Sequence, residues 1–236
     1  MTTTAWPADT AGQDGRPNVG ISVTMRIDRR SLLLAGPSAA LVPLLPAAVL
    51  AQAPAPGAAP AADPRLGERA AGKAEATPVI EFFSLTCSHC ADFHNRTWPQ
   101  VKSRLVDTGK VRMVWRDFPL DQVALAAAVV ARALPAERYE GFVGALFASQ
   151  DRWAFARGAD NIGEIAKIAA LAGMSRAQVD AALADQGLQR GILEGRMKAQ
   201  QEFNVASTPT FVFNNRANPG AVSFERFAEL AGVSVS

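Results

Sequence analysis

The chain of 236 residues holds two cysteines and two histidines, and all four fall between Cys87 and His94. The run Cys87-Ser88-His89-Cys90 leaves two chemistries open, reversible closure of the thiols into a disulfide or ligation of a soft metal ion. With no other cysteine in the chain, the pair cannot belong to a disulfide framework. A thiol in the first turn of a helix meets unpaired backbone N–H groups and the positive end of the helix dipole, both of which favour thiolate over thiol. Cys87 is therefore the expected nucleophile. His89 adds a positive charge or a hydrogen bond near its sulfur, and such neighbours bring a thiol well below its free value of about 8.5. Cys90, one turn further in, suits the resolving role. Stabilising a thiolate that exists only in the reduced form makes the disulfide form a stronger oxidant.

These roles need a strand leading into a helix. Val79 to Ser84 is a β-branched and aromatic run of strand length, and the segment from about Cys87 to about Val106 reads as helix, with a kink or break at Pro99. Val111 to Asp117 alternates apolar and charged residues, as a second strand does, and Pro119 ends it. A crossover helix between the two strands makes them parallel. Arg116 and Asp117 read as a strand-end ion pair or turn cap. From Asp121 to about Phe203 the composition turns Ala- and Leu-rich with helical spacing, giving helices at about 121–133, 137–150, 161–172 and 176–203, the last broken near Gly187 or Gly191, with Ser175 as an N-cap. Trp98, Trp115, Trp153, Phe142 and Phe147 are core residues or the lining of a groove. Thr210 to Asn214 is a further strand, Asn214-Asn215 starts a hairpin, Ala221-Val222 pairs back, and Ser223 caps a closing helix.

The N-terminal part has a different character. Met25 reads as a start. Arg26, Arg29 and Arg30 form a basic region, Leu32 to Leu50 an apolar one, and Ala51-Gln52-Ala53 a small-residue site with cleavage after Ala53, which together make an export signal. The Arg29-Arg30 pair resembles a twin-arginine signal, with the ordinary secretory route also open. Residues 1–53 are thus assigned to an extension and signal, and 54–77 to an Ala/Pro-rich tether and lead-in. Setting aside the four arginines and three aspartates before residue 54 leaves 20 basic and 19 acidic side chains. That near balance excludes the clustered positive charge of a nucleic-acid binder.

The run Glu81-Phe82-Phe83-Ser84-x-x-Cys87-x-His89-Cys90, followed by Phe93, resembles the thiol-disulfide oxidoreductases of the DsbA family. So does Ser207-Thr208-Pro209-Thr210 just before a strand, which matches that family's cis-proline loop. The resemblance covers about residues 65–232 and implies an α/β, thioredoxin-like fold with an inserted all-helical domain. Its first part is residues 78–120, the insertion 121–205 and the second part 206–236.

The resemblance implies that Cys87 forms the mixed disulfide and Cys90 resolves it. It further implies that Glu81, a buried carboxylate under the site, exchanges a proton with Cys90, and that Thr208 before Pro209 offers its backbone to an extended substrate peptide. The activity needs no dissociable cofactor. Its partners would be cysteine-containing secreted proteins and a membrane redox protein that recycles the disulfide, and the protein would be a periplasmic monomer.

Ser88 stands where a proline is common, and Thr208 where the best-known oxidases carry valine, so an isomerase or reductase of the same fold stays open beside a dithiol oxidase. A separate alternative takes Cys87, Cys90 and His94 as metal ligands, since residues one turn apart share a helix face. In its other reading His94 is a partly exposed helix residue that tunes local charge.

Overall fold

The computed structural model describes residues 63–158 and 160–234. The expected export signal, its cleavage site and the expected tether up to residue 62 lie outside the described residues. Among the described residues no helix is long and apolar enough to cross a membrane.

β2 (Thr77–Phe83) is the middle strand of a five-stranded sheet ordered β1-β3-β2-β4-β5. It runs parallel to β3 (Val111–Asp117), with Glu81 opposite Trp115, and antiparallel to β4 (Thr210–Phe213), with Glu81 opposite Phe211. The helical passage between β2 and β3 is the crossover that their parallel pairing requires. Because side chains alternate along a strand, Val79, Glu81 and Phe83 face one side and Ile80 and Phe82 the other. The first side meets the main core with Met113, Trp115, Phe211 and Phe213, whereas Phe82 joins a smaller cluster with Phe118, Ala199, Val205 and Val212. Trp98, Trp115, Trp153, Phe142 and Phe147 all belong to the main core.

The lead-in is more than an approach to the sheet. It forms β1 (Arg69–Ala71), an edge strand antiparallel to β3, preceded by a single 3-10 turn at Pro64–Leu66. Three residues are too few to show a strand period in sequence.

The helical passage after β2 runs from α1 (Ser88–Asp92) through a π turn at Phe93–Thr97, α2 (Trp98–Val101) and a second π turn at Lys102–Val106. Pro99 therefore does not break the helix; it sits in the first turn of α2, with π turns on both sides. The insertion carries α3 (Gln122–Ala133), α4 (Ala136–Ala148), a π turn at Asp151–Phe155, α5 (Asn161–Leu171), α6 (Arg176–Ala184) and α7 (Gln186–Phe203). Ser175 caps α6 in a capping box with Gln178, as its position predicts. The expected break near Gly187 or Gly191 falls instead at Asp185, whose carboxylate caps α7 through Leu188 N–H. Gly191 serves a different purpose: a Cβ there would lie 2.1 Å from Leu66 Cδ1, so its bare backbone lets the lead-in pack on α7.

Asn214 and Asn215 both have positive φ, 47° and 65°, the backbone of a two-residue hairpin turn. A two-residue turn returns the chain at once, so β5 is Arg216–Pro219 rather than Ala221-Val222. α8 (Phe224–Leu230) follows with Ser223 as its cap.

Arg116 and Asp117 do not pair with each other. Arg116 points outward toward Glu68 at 3.9 Å, while Asp117 turns inward and takes a 2.5 Å hydrogen bond from Arg132 of α3 and a 3.1 Å one from the Tyr139 hydroxyl of α4. Arg132 also donates to the carbonyl of Gly67 at 2.6 Å, so one buried guanidinium ties lead-in, sheet and insertion together.

Candidate active site

Cys87 is the N-cap of α1. Its sulfur accepts from Cys90 N–H at 3.4 Å, and its thiol donates to the Thr208 carbonyl at 3.3 Å. The Thr208-Pro209 peptide is cis, and it sets that carbonyl against the helix start from 121 positions down the chain. Both cysteines are free thiols; Cys90 is 0 % exposed and Cys87 8 %.

The two thiols are driven apart electrostatically. A hydrogen bond from the Cys90 thiol is the largest influence on Cys87, and with the Thr208 hydroxyl and the backbone N–H groups of Cys90 and His89 it outweighs burial and lowers the pKa to about 6. Cys90 moves the opposite way. Burial comes first, then the hydrogen bond and charge of Cys87 and the charge of Glu81, and together they push this thiol well above its ordinary range. At neutral pH the arrangement holds one thiolate and one thiol.

His89 contributes through its backbone. Its side chain is exposed, and its help to Cys87 comes from its backbone N–H. The helix terminus also presents positive potential to the sulfur.

Glu81 is 0 % exposed on the middle strand, on the face that α1 covers. Its Oε2 lies 3.1 Å from His94 Nε2, and its Oε1 is buried with no hydrogen-bond partner. His94 is thus a buried partner of Glu81 rather than a partly exposed residue. Its ring packs 4.4 Å from Phe147 and 6.0 Å from Phe83 between centroids. Among the described residues no group of three or more His, Cys, Asp or Glu is placed to hold a metal ion. The sequence does carry the inward direction of His94: Cys90, His94 and Trp98 recur four residues apart, and the flanking two are fully apolar positions.

A second residue that the sequence reading passed over is Gln150, which follows α4. Its buried side-chain amide donates to the Leu85 carbonyl at 2.7 Å and to the Cys87 carbonyl at 3.1 Å. The turn before α1 is held further by Ser84 Oγ, which accepts from Thr86 N–H and Leu120 N–H, and by Thr86 Oγ1, which donates to Asp121 at 2.6 Å. A polar residue at a helix end is common, and nothing local in the sequence distinguishes Gln150 from an exposed one.

Comparison with known proteins agrees with this layout. Residues 65–231 match the family model described as thioredoxin. A protein of Rickettsia felis named as a candidate protein-disulfide oxidoreductase is 36% identical over 78 residues, 33% of this chain and 28% of the relative. One of Rickettsia bellii with the same name is 26% identical over 137 residues, 58% of this chain and 52% of the relative. The chain therefore aligns with about half or less of these curated relatives. The crystal structure of alpha-DsbA1 from Wolbachia pipientis superposes with a TM-score of 0.64 at 27% identity, covering 70% of this chain and 89% of that one. By the match over most of its described length and by this architecture, the chain belongs to the thioredoxin family, in its DsbA-type form with an inserted helical domain.

Proposed function

We propose that this chain is an exported protein thiol-disulfide oxidoreductase, working as a dithiol oxidase on unfolded secreted proteins. A substrate thiolate attacks Cys87 of the Cys87–Cys90 disulfide, the S–S bond breaks, and its electron pair goes to Cys90. A second substrate thiolate then attacks the substrate sulfur of the mixed disulfide and releases Cys87 as thiolate. The substrate loses two electrons and gains a disulfide, and the enzyme is left as a dithiol that a membrane redox partner reoxidises. Thr208 would pair through its backbone with the extended substrate, Pro209 offering no competing N–H. Export to the periplasm rests on the signal read over residues 25–53, and the compartment suits disulfides that must persist. The protein acts as a monomer.

The observation that carries this reading is the asymmetry of the two thiols, with Cys87 lowered to about 6 while Cys90 is pushed up. A leaving thiolate of low pKa departs quickly, and a stabilised reduced form makes an oxidising disulfide. The decisive measurement is the reduction potential of the pair equilibrated with glutathione. A value well above about −270 mV, the level of thioredoxin, supports the oxidase; a value at that level assigns the protein to the reducing direction. Thr208 favours an isomerase as the second reading. Reactivation of a scrambled-disulfide protein at a rate comparable with oxidation of a reduced one would move the assignment there.

A further inference from the structure

Resting on that reading, each half of the cycle moves a proton at Cys90. When substrate attacks Cys87, the Cys90 sulfur leaves with an electron pair and must be protonated. When the disulfide closes again, the same thiol must be deprotonated. Cys90 has no exposure to solvent from which to draw a proton. A group within the core must supply and recover it.

Glu81 and His94 are placed for this. Glu81 Oε2 and His94 Nε2 are 3.1 Å apart, and Glu81 Oε1 is buried and unpartnered on the same side of the sheet as Cys90. Among the described residues no lysine or arginine is paired with either group. The aromatic rings packed against His94 are Phe83 on β2, Phe93 and Trp98 on its own helical run, and Phe147 on α4. Asp92 and Arg96, on the same run, are exposed and pair with each other at 3.6 Å. Glu81 is the charged group that faces His94 within hydrogen-bond reach.

We infer that His94, acting through Glu81, is the proton store for Cys90. In the oxidised protein the pair is an imidazolium beside a carboxylate, with no net charge in an apolar site, which costs less than a lone buried carboxylate. As substrate opens the disulfide, Glu81 passes the proton to the Cys90 sulfur and His94 becomes neutral. The negative charge that arrived on the substrate thiolate ends on Glu81, and the mixed disulfide is neutral. Reoxidation runs the transfer backwards: Cys90 gives up its proton to the pair as its sulfur closes on Cys87.

The chain has only two histidines, so the ring signals of His94 can be assigned in a proton NMR spectrum by comparison with His89→Ala. Spectra of the oxidised and reduced wild-type protein from about pH 5 to 9 are expected to show His94 in different protonation states across the middle of that range, while His89 titrates alike in both. Identical His94 titration in the two redox forms overturns the inference.

The kinetic counterpart is His94→Gln, which can still donate to Glu81 but cannot hold a proton. Reduction of the oxidised variant by glutathione is expected to be about tenfold slower at neutral pH, with a ratio to wild type that changes with pH, and Glu81→Gln is expected to abolish the difference. A ratio constant across pH, or additive effects of the two substitutions, makes His94 a packing residue. If wild-type protein fails to exchange with glutathione at all, the oxidoreductase reading falls. If it exchanges normally while His94 is unmoved, only the proton store falls.

Discussion

Replacing Cys90 by alanine isolates the forces on Cys87, because it leaves a single thiol in the chain. In the intact site the Cys87 pKa falls from 9.0 to about 6, which leaves about nine-tenths of it ionised at pH 7. A displacement of that size is worth about 4 kcal/mol in favour of the thiolate. Solvent screening at a sulfur on the end of a helix reduces this to about 2–3 kcal/mol, or about 40–65 mV of oxidising power for a two-electron couple. The largest contribution is the Cys90 thiol, a weak donor whose bond to a charged sulfur is worth about 1.5 kcal/mol, roughly a tenfold change in ionisation. Cys90→Ala removes that bond and leaves the Thr208 hydroxyl and the N-terminal N–H groups in place. The Cys87 midpoint is therefore expected to rise to about 7, read from ultraviolet thiolate absorbance and from the pH dependence of alkylation. A midpoint that stays at about 6 would show that the Cys90 thiol is not the donor. One at the free value of about 8.5 would show that the helix terminus contributes nothing, and the physical account of the nucleophile would be refuted.

The depressed Cys87 pKa also makes the reduced protein's stability depend on pH. The stabilising contribution is complete above the unfolded thiol pKa and is lost as pH falls through about 6, so thermal unfolding should show the reduced form losing ground to the oxidised form between about pH 9 and 5, and parallel curves would contradict it. Gln150→Leu leaves the Leu85 carbonyl without its 2.7 Å donor, and is expected to cost about 1–3 kcal/mol in denaturant unfolding and to slow reaction at Cys87; unchanged reactivity would show that the turn before α1 holds itself. Asp117→Ala strands the buried Arg132 and should cost about 3–5 kcal/mol, and a loss below about 1 kcal/mol would mean that water replaces the carboxylate.

The elements with a clear period were legible in sequence. β3 was readable to the residue from the alternation Val111-Arg112-Met113-Val114-Trp115-Arg116-Asp117, and the caps at Ser175 and Ser223 marked helix starts because a hydroxyl satisfies N–H groups there and nowhere else as well. Short or partner-dependent features were not. β1 is a strand only because β3 offers it an edge, and the position of β5 follows from two asparagines with positive φ rather than from its own mostly exposed residues. At the site, Cys87 and Cys90 announce themselves by spacing, and Thr208-Pro209 by resemblance. His94 and Gln150 belong to the same constellation through contacts 13 and 63 or more positions apart, a distance that local pattern does not span.

The two carboxylates on the inner face of the sheet separate structure from chemistry. Asp117 and Glu81 sit on neighbouring strands, on the same face in the parallel register that sets Phe83 opposite Asp117. Asp117 is matched by Arg132, a guanidinium that stays charged at any working pH, and by the Tyr139 hydroxyl; burial and the Asp117 charge push the Tyr139 pKa well up, keeping that hydroxyl protonated. Nothing in that trio changes state, and its bonds to the lead-in make it a fixed tie. Glu81 has instead an imidazole and one oxygen left without a partner. An arginine there would fix the carboxylate as an anion and hold no exchangeable proton of its own. A histidine is the one ordinary partner whose own proton can come and go near neutral pH. The core therefore has a permanent charge where the domain is tied together and an imidazole beneath the cysteines, where the proposed cycle moves a proton twice.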